Sequence, residues 1–185
     1  MKKLGKDNRG VTLLEVVVIV LIIAVVGAAS LTGVLKARAL DSSACTRTID
    51  STLDHARLQA MNRAEEDCYL RFVLDGGVFY GRLYAKAASA SEATLLRETK
   101  LGTTQVAISL LDAAEVTLKD ITLADGNYFD VRYNKRDGSL ASIKGDEVPT
   151  PTEYSAGGGS FIIRVEGNTT TKLHIVTETG RTYFD

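Results

Sequence analysis

Arg9 to Ala29 read RGVTLLEVVVIVLIIAVVGAA, an apolar run that carries one acid, Glu15, near its start, with Gly10 just before it. A helix rising 1.5 Å per residue needs about 20 apolar residues to cross about 30 Å of hydrocarbon, and Val11 to Ala29 approaches that length. The run predicts a membrane span over 11–30 rather than a core helix. A carboxylate in hydrocarbon costs roughly 2.5 to 3.5 kcal/mol at central positions and less near an interface, so Glu15 needs a compensating partner.

Lys2, Lys3, Lys6 and Arg9 outweigh Asp7 ahead of the run, and the positive-inside rule places such a start in the cytoplasm. The expected topology is a single pass through the cell membrane, with the N-terminus cytoplasmic and everything after the span extracytoplasmic. A secretory signal peptide is the competing reading, with Gly27-Ala28-Ala29-Ser30 as its small-residue cleavage site. The length of the run and the presence of Glu15 argue against it.

Helix is expected to continue over 31–65, because Leu31 to Ala64 contains no proline, and Ile49, Leu53, Ala56 and Ala60 recur on one helical face. That stripe is the expected seam against a sheet. Arg47, Asp50, Asp54, Arg57 and Arg63 lie largely off it, as a solvated face. Gly33 and Asp41-Ser42-Ser43 are weak helix formers and mark a place for a bend.

The period then changes. Tyr69 to Leu74 and Val78 to Tyr84 flank Asp75-Gly76-Gly77, a hairpin signal. Further strand-like runs are Thr94 to Lys100, Gln105 to Leu110, Glu115 to Leu118, Tyr128 to Tyr133, Phe161 to Val165 and Lys172 to Thr177. Short runs between Gly, Asp and Asn turns predict antiparallel sheets and an α+β class. The segment 66–185 is long enough for one β-rich globular head. Ala85 to Ala93 and Lys144 to Gly159 read as linkers, the second holding both prolines and Gly157-Gly158-Gly159.

Catalytic chemistry finds little to work with. His55 and His174 are the only histidines, Cys45 and Cys68 the only cysteines, and no spacing fits a zinc site, nucleophile elbow or P-loop. The expectation is no enzyme and no cofactor. An unbroken helix from Cys45 to about Ala64 would hold the two cysteines roughly 25 to 30 Å apart, beyond the reach of a disulfide.

Gly10-Val11-Thr12-Leu13-Leu14-Glu15, after a short basic leader and before an apolar stretch, resembles the class III signal of type IV pilins and type II secretion pseudopilins. The resemblance implies that residues 1–10 are a leader, that a prepilin peptidase cuts after Gly10, and that the new amino terminus on Val11 is methylated. Its other implied partners are further pilins or pseudopilins met through the N-terminal helix, an inner-membrane assembly platform and the membrane itself. Glu15 has two readings that can both hold. With Thr12 it forms a capping box for the helix start, and by the resemblance it pairs with the amine of an adjacent subunit and sets axial register.

Leu53-Asp54-His55-Ala56-Arg57-Leu58-Gln59-Ala60 is similar to the LxxARxxA segment of the minor pseudopilin GspH/FimT group, and Asp137-Gly138, Phe161 to Val165 and Gly180-Arg181 resemble that group's later features. The implied fold is a long N-terminal helix, transmembrane in its first half, packed on a head of two antiparallel sheets. The implied function is a membrane-anchored minor subunit that initiates or caps a type IV pilus or type II secretion pseudopilus. The alternative is an unprocessed single-pass extracytoplasmic binding or sensor domain. A DNA-binding minor pilin is a further one, with Arg181 as contact, since some FimT-like proteins use Gly-Arg-x-Arg. Here Gly180-Arg181-Thr182-Tyr183 lacks the second arginine, and a net charge of −1 without a Lys/Arg run argues against nucleic acid as a partner.

Overall fold

The computed structural model describes residues 13–63, 66–146, 152–155 and 159–185, apart from the side chains of 13–15 and 23–41. One helix, α1 (Leu13–Asn62), runs 50 residues, and no break falls at Gly33 or Asp41-Ser42-Ser43. The chain divides into two compact units, Met1–Ala37 and Arg38–Asp185. In the first, the described side chains Val16 to Ile22 are all 48 to 62% exposed.

The described residues of the second unit form ten strands: β1 (Glu66–Asp75), β2 (Val78–Ala87), β3 (Thr94–Thr103), β4 (Ala107–Leu111), β5 (Thr117–Asp120), β6 (Tyr128–Tyr133), β7 (Leu140–Gly145), β8 (Ser160–Glu166), β9 (Thr170–Val176) and β10 (Thr182–Phe184). They form two five-stranded antiparallel sheets. Sheet A has the order β3-β2-β1-β6-β7 and sheet B the order β10-β9-β8-β4-β5. The β1–β2 turn is Gly76-Gly77, with φ of 58° and 75°. A two-residue hairpin whose twist matches its strands needs both values positive, and glycine takes them without steric cost.

Strand β5 starts two residues later than the sequence suggests. Asp112 Oδ1 accepts the amides of Ala114 and Val116, and Glu115 sits at φ 63°, so those residues form a turn. Strands β7 and β10 carry no alternating apolar pattern and were not expected; each is held by pairing to its neighbour, β6 and β9 respectively.

Between the sheets and α1 lies one apolar core. Ile49, Leu53, Ala56 and Ala60 are buried in it, joined by Cys45 and by Phe72, Phe79 and Phe129 from sheet A and Ile108, Leu110 and Leu173 from sheet B. A second row of the helix is polar and equally engaged. Ser42 bonds Thr169 at 2.8 Å, Thr46 bonds Thr171, and Asp50 accepts from Thr182. Spacing of four residues stacks these groups one turn above another, and they fasten the helix to the β9–β10 side of sheet B.

The transmembrane reading of 11–30 is overturned, because no helix among the described residues is long and apolar enough to cross a membrane. From Ser42 onward the apolar side of α1 is buried in its own head and its other positions include Arg47, Asp54 and Arg57. The single-pass topology with a cytoplasmic N-terminus and extracytoplasmic head falls with the span. So does the role of membrane-anchored pilus or pseudopilus subunit built on it, and so does the unprocessed single-pass sensor.

Candidate functional site

Gly10 and Val11 lie outside the described residues, and Glu15 belongs to α1 with its side chain likewise outside them. Arg181 is exposed in the turn that enters β10; its amide meets Thr179 Oγ1 at 3.3 Å and its carbonyl accepts from the Val176 amide at 2.9 Å. No second arginine accompanies it, since Thr182 and Tyr183 follow.

Three of the other singled-out positions meet at one point. Arg57 Nε on α1 donates to the Gly138 carbonyl at 2.9 Å. Gly138 lies in the β6–β7 turn of sheet A, and Gly180 in the β9–β10 turn of sheet B packs on that same carbonyl. A Cβ on Gly180 would fall 2.1 Å from Gly138 O and about 3 Å from the Tyr133 ring, at a φ of +64° that side chains rarely adopt. The junction ties the helix to a turn from each sheet. Its chemistry is positional: one carbonyl accepts from a guanidinium and admits a backbone with no side chain.

Tyr133 borders this junction with its hydroxyl buried and without a hydrogen-bond partner among the described residues. Burial pushes its ionisation upward; the charges of Asp54 and Asp50 add to this and Arg57 opposes it. The periodicity of β6 places Tyr133 inward, but nothing in the sequence marks its hydroxyl as unpaired.

The outer face of sheet A is an arginine–tyrosine surface that the sequence reading did not single out. Arg71 lies 3.7 Å above the Tyr128 ring and is bidentate to Asp130 at 2.7 and 2.9 Å. Burial works against the Arg71 charge, and the hydrogen bonds and charge of Asp130 more than offset it, so the guanidinium ionises above its ordinary range. Tyr69 stacks on Tyr84 at 5.2 Å, and Arg132 lies over Tyr69 at 4.7 Å while pairing with Asp67. Arg82 is held between Asp75 and Glu98 at 2.7 and 2.6 Å. Each of these arginines faces a carboxylate of its own sheet, which differs from the unpaired basic patch that phosphate binding uses.

Cys45 and Cys68 are both buried, and no disulfide joins them. Burial raises the Cys68 thiol, with Arg63 opposing, which keeps it out of its reactive form. His174 on β9 stacks on Tyr183 at 4.6 Å, and His55 lines a small cavity beside β2 and β3. Among the described residues no group of three or more His, Cys, Asp or Glu could hold a metal ion.

Residues 5–31 match the prokaryotic N-terminal methylation motif, which is associated with type IV pilin and pseudopilin biogenesis. The match covers the N-terminal segment and says nothing specific of the GspH/FimT group. No curated protein and no solved structure matches the chain.

Proposed function

We propose that this chain is a pilin-like, non-enzymatic protein with a GspH/FimT-type head, and that its partners are a prepilin peptidase and other pilin-type chains. In this reading the peptidase cuts after Gly10 and the nitrogen of Val11 is methylated. Gly10 suits the cut because a residue without a Cβ lets the scissile backbone lie extended against a protease wall. Glu15, four residues past the new terminus, is the group expected to pair with the amine of a neighbouring chain, a charge pair that selects register at some cost in stability.

One observation carries the proposal: seven successive residues of α1 within the matched methylation motif, Val16 to Ile22, are apolar and about half exposed. Covering the exposed half of such side chains is worth about 1 kcal/mol each, enough in sum to drive helix association. The GspH/FimT assignment rests on the junction of Arg57, Gly138 and Gly180, which gathers three short motif positions that lie far apart in sequence.

The test is intact-mass and N-terminal analysis of the full chain made with and without a prepilin peptidase. A terminus at methylated Val11, present only with the enzyme and lost in Gly10→Val, is the expected result. Met1 retained in both preparations would remove the proposal.

A further inference from the structure

We propose that a cavity between α1, β2 and β3 is a binding site for one inorganic oxyanion, phosphate or sulfate, held by Arg97 and His55. The cavity measures about 40 Å³, room for about three water molecules or one small oxyanion, and too little for a nucleotide. It exists because of a missing side chain. Gly81 on β2 faces the helix, and a Cβ there would lie 3.2 Å from Thr52 Cγ2 and 3.6 Å from Leu101.

The register sets the rest. Thr99 pairs with Gly81 and Arg97 with Leu83, which brings two polar β3 residues alongside the gap, while α1 supplies His55 one turn beyond Ser51. The hydroxyls of Ser51 and Thr52 donate to the Thr48 carbonyl at 3.0 and 2.6 Å, so donation into the cavity falls to Arg97, His55 and Thr99.

Charge decides what this donor set accepts. No carboxylate is among the lining residues, and neither the Arg97 guanidinium nor the His55 ring has an ion-pair or hydrogen-bond partner among the described residues. That sets Arg97 apart from Arg71, Arg82 and Arg132, each matched with an acid of its own sheet. A guanidinium fork, an imidazole and the Thr99 hydroxyl lining one cavity with no acid have their bonding capacity met by an anion with several oxygens. The site is independent of how the N-terminus is processed.

The experiment titrates the full chain with sodium phosphate, sodium sulfate and sodium acetate at constant ionic strength set with chloride, following the Gly81 and Thr99 amide resonances. Saturable shifts with phosphate or sulfate are expected, at least tenfold weaker in Arg97→Gln and in His55→Gln. Gly81→Ala fills the cavity while leaving both basic groups in place, and is expected to abolish the shifts. Arg97 is exposed, so its variant tests the site even if Gly81→Ala disturbs folding. Shifts equal in wild type and Arg97→Gln, or acetate bound more tightly than phosphate and sulfate, would overturn the assignment.

Discussion

Along one helix, Val16 to Ile22 and Ser42 to Asn62 carry apolar residues in two different ways. In the first stretch every position is apolar and every described side chain is about half exposed. In the second, apolar residues return every three or four positions, and Cys45, Ile49, Leu53, Ala56 and Ala60 are all buried in the head. The amount of apolar surface says that something must cover a helix. The period says whether the chain covers it itself. Leu58, apolar but out of phase with the stripe, is 57% exposed within the head-packed stretch, as Leu21 is 62% exposed in the other.

The comparison breaks most easily at Leu53. It is fully buried, and Leu53→Ala should cost about 2 to 5 kcal/mol, the transfer of its methyls plus the cavity left behind. Ile19→Ala should leave the stability of the head within about 0.5 kcal/mol. Urea denaturation followed by tyrosine fluorescence reads both. Equal losses would mean that the two stretches are covered alike, and the distinction drawn from period would not stand.

Gly180→Ala comes next, and it tests what pins the head-packed stretch in place. A Cβ at a φ of +64° and 2.1 Å from the Gly138 carbonyl must move one of two turns, at a cost of about 2 to 3 kcal/mol. The Arg57 bond to that carbonyl weakens with it. Thermal unfolding should fall by several degrees; a variant as stable as the parent would show that the two turns do not brace the helix.

What could be read from sequence follows the range of the forces involved. The stripe Ile49, Leu53, Ala56, Ala60 and the Gly76-Gly77 hairpin are local patterns, and both stand in the fold. Ser42, Thr46 and Asp50 were unreadable because their partners lie 127, 125 and 132 residues away. Asp50 passed for a solvated charge and Ser42 for a bend. Strand β7, LASIKG, has little β-propensity of its own and exists through its pairing with β6. The membrane span failed where a count of apolar residues stood in for what surrounds them: no helix among the described residues is long and apolar enough to cross a membrane, and from Ser42 onward the apolar side of α1 is buried in the head. Of the site residues, Arg181 is exposed in the turn that enters β10. Gly10 and Val11 fall within the matched methylation motif and lie outside the described residues.

Tyr133 gives the smallest effect and the sharpest sign. The helix face that buries Leu53 also brings Asp54, Asp50 and Arg57 near a phenol whose hydroxyl has no hydrogen-bond partner among the described residues. A buried hydroxyl without a partner forfeits the bonds it made to water in the unfolded chain, a cost of about 1 to 3 kcal/mol, so Tyr133→Phe should stabilise the head by about 1 kcal/mol where most core substitutions weaken it. The pH dependence sharpens this. Burial raises the folded-state ionisation of Tyr133, while the unfolded chain ionises near pH 10; above that pH the unfolded state releases its proton first, and the parent loses stability as pH climbs. The gain from Tyr133→Phe should therefore be constant below about pH 9 and grow above it. A loss of stability in the variant would mean that the hydroxyl is satisfied, and that the helix face carrying Asp50, Asp54 and Arg57 is a bonded polar seam at this point as it is at Ser42 and Thr46.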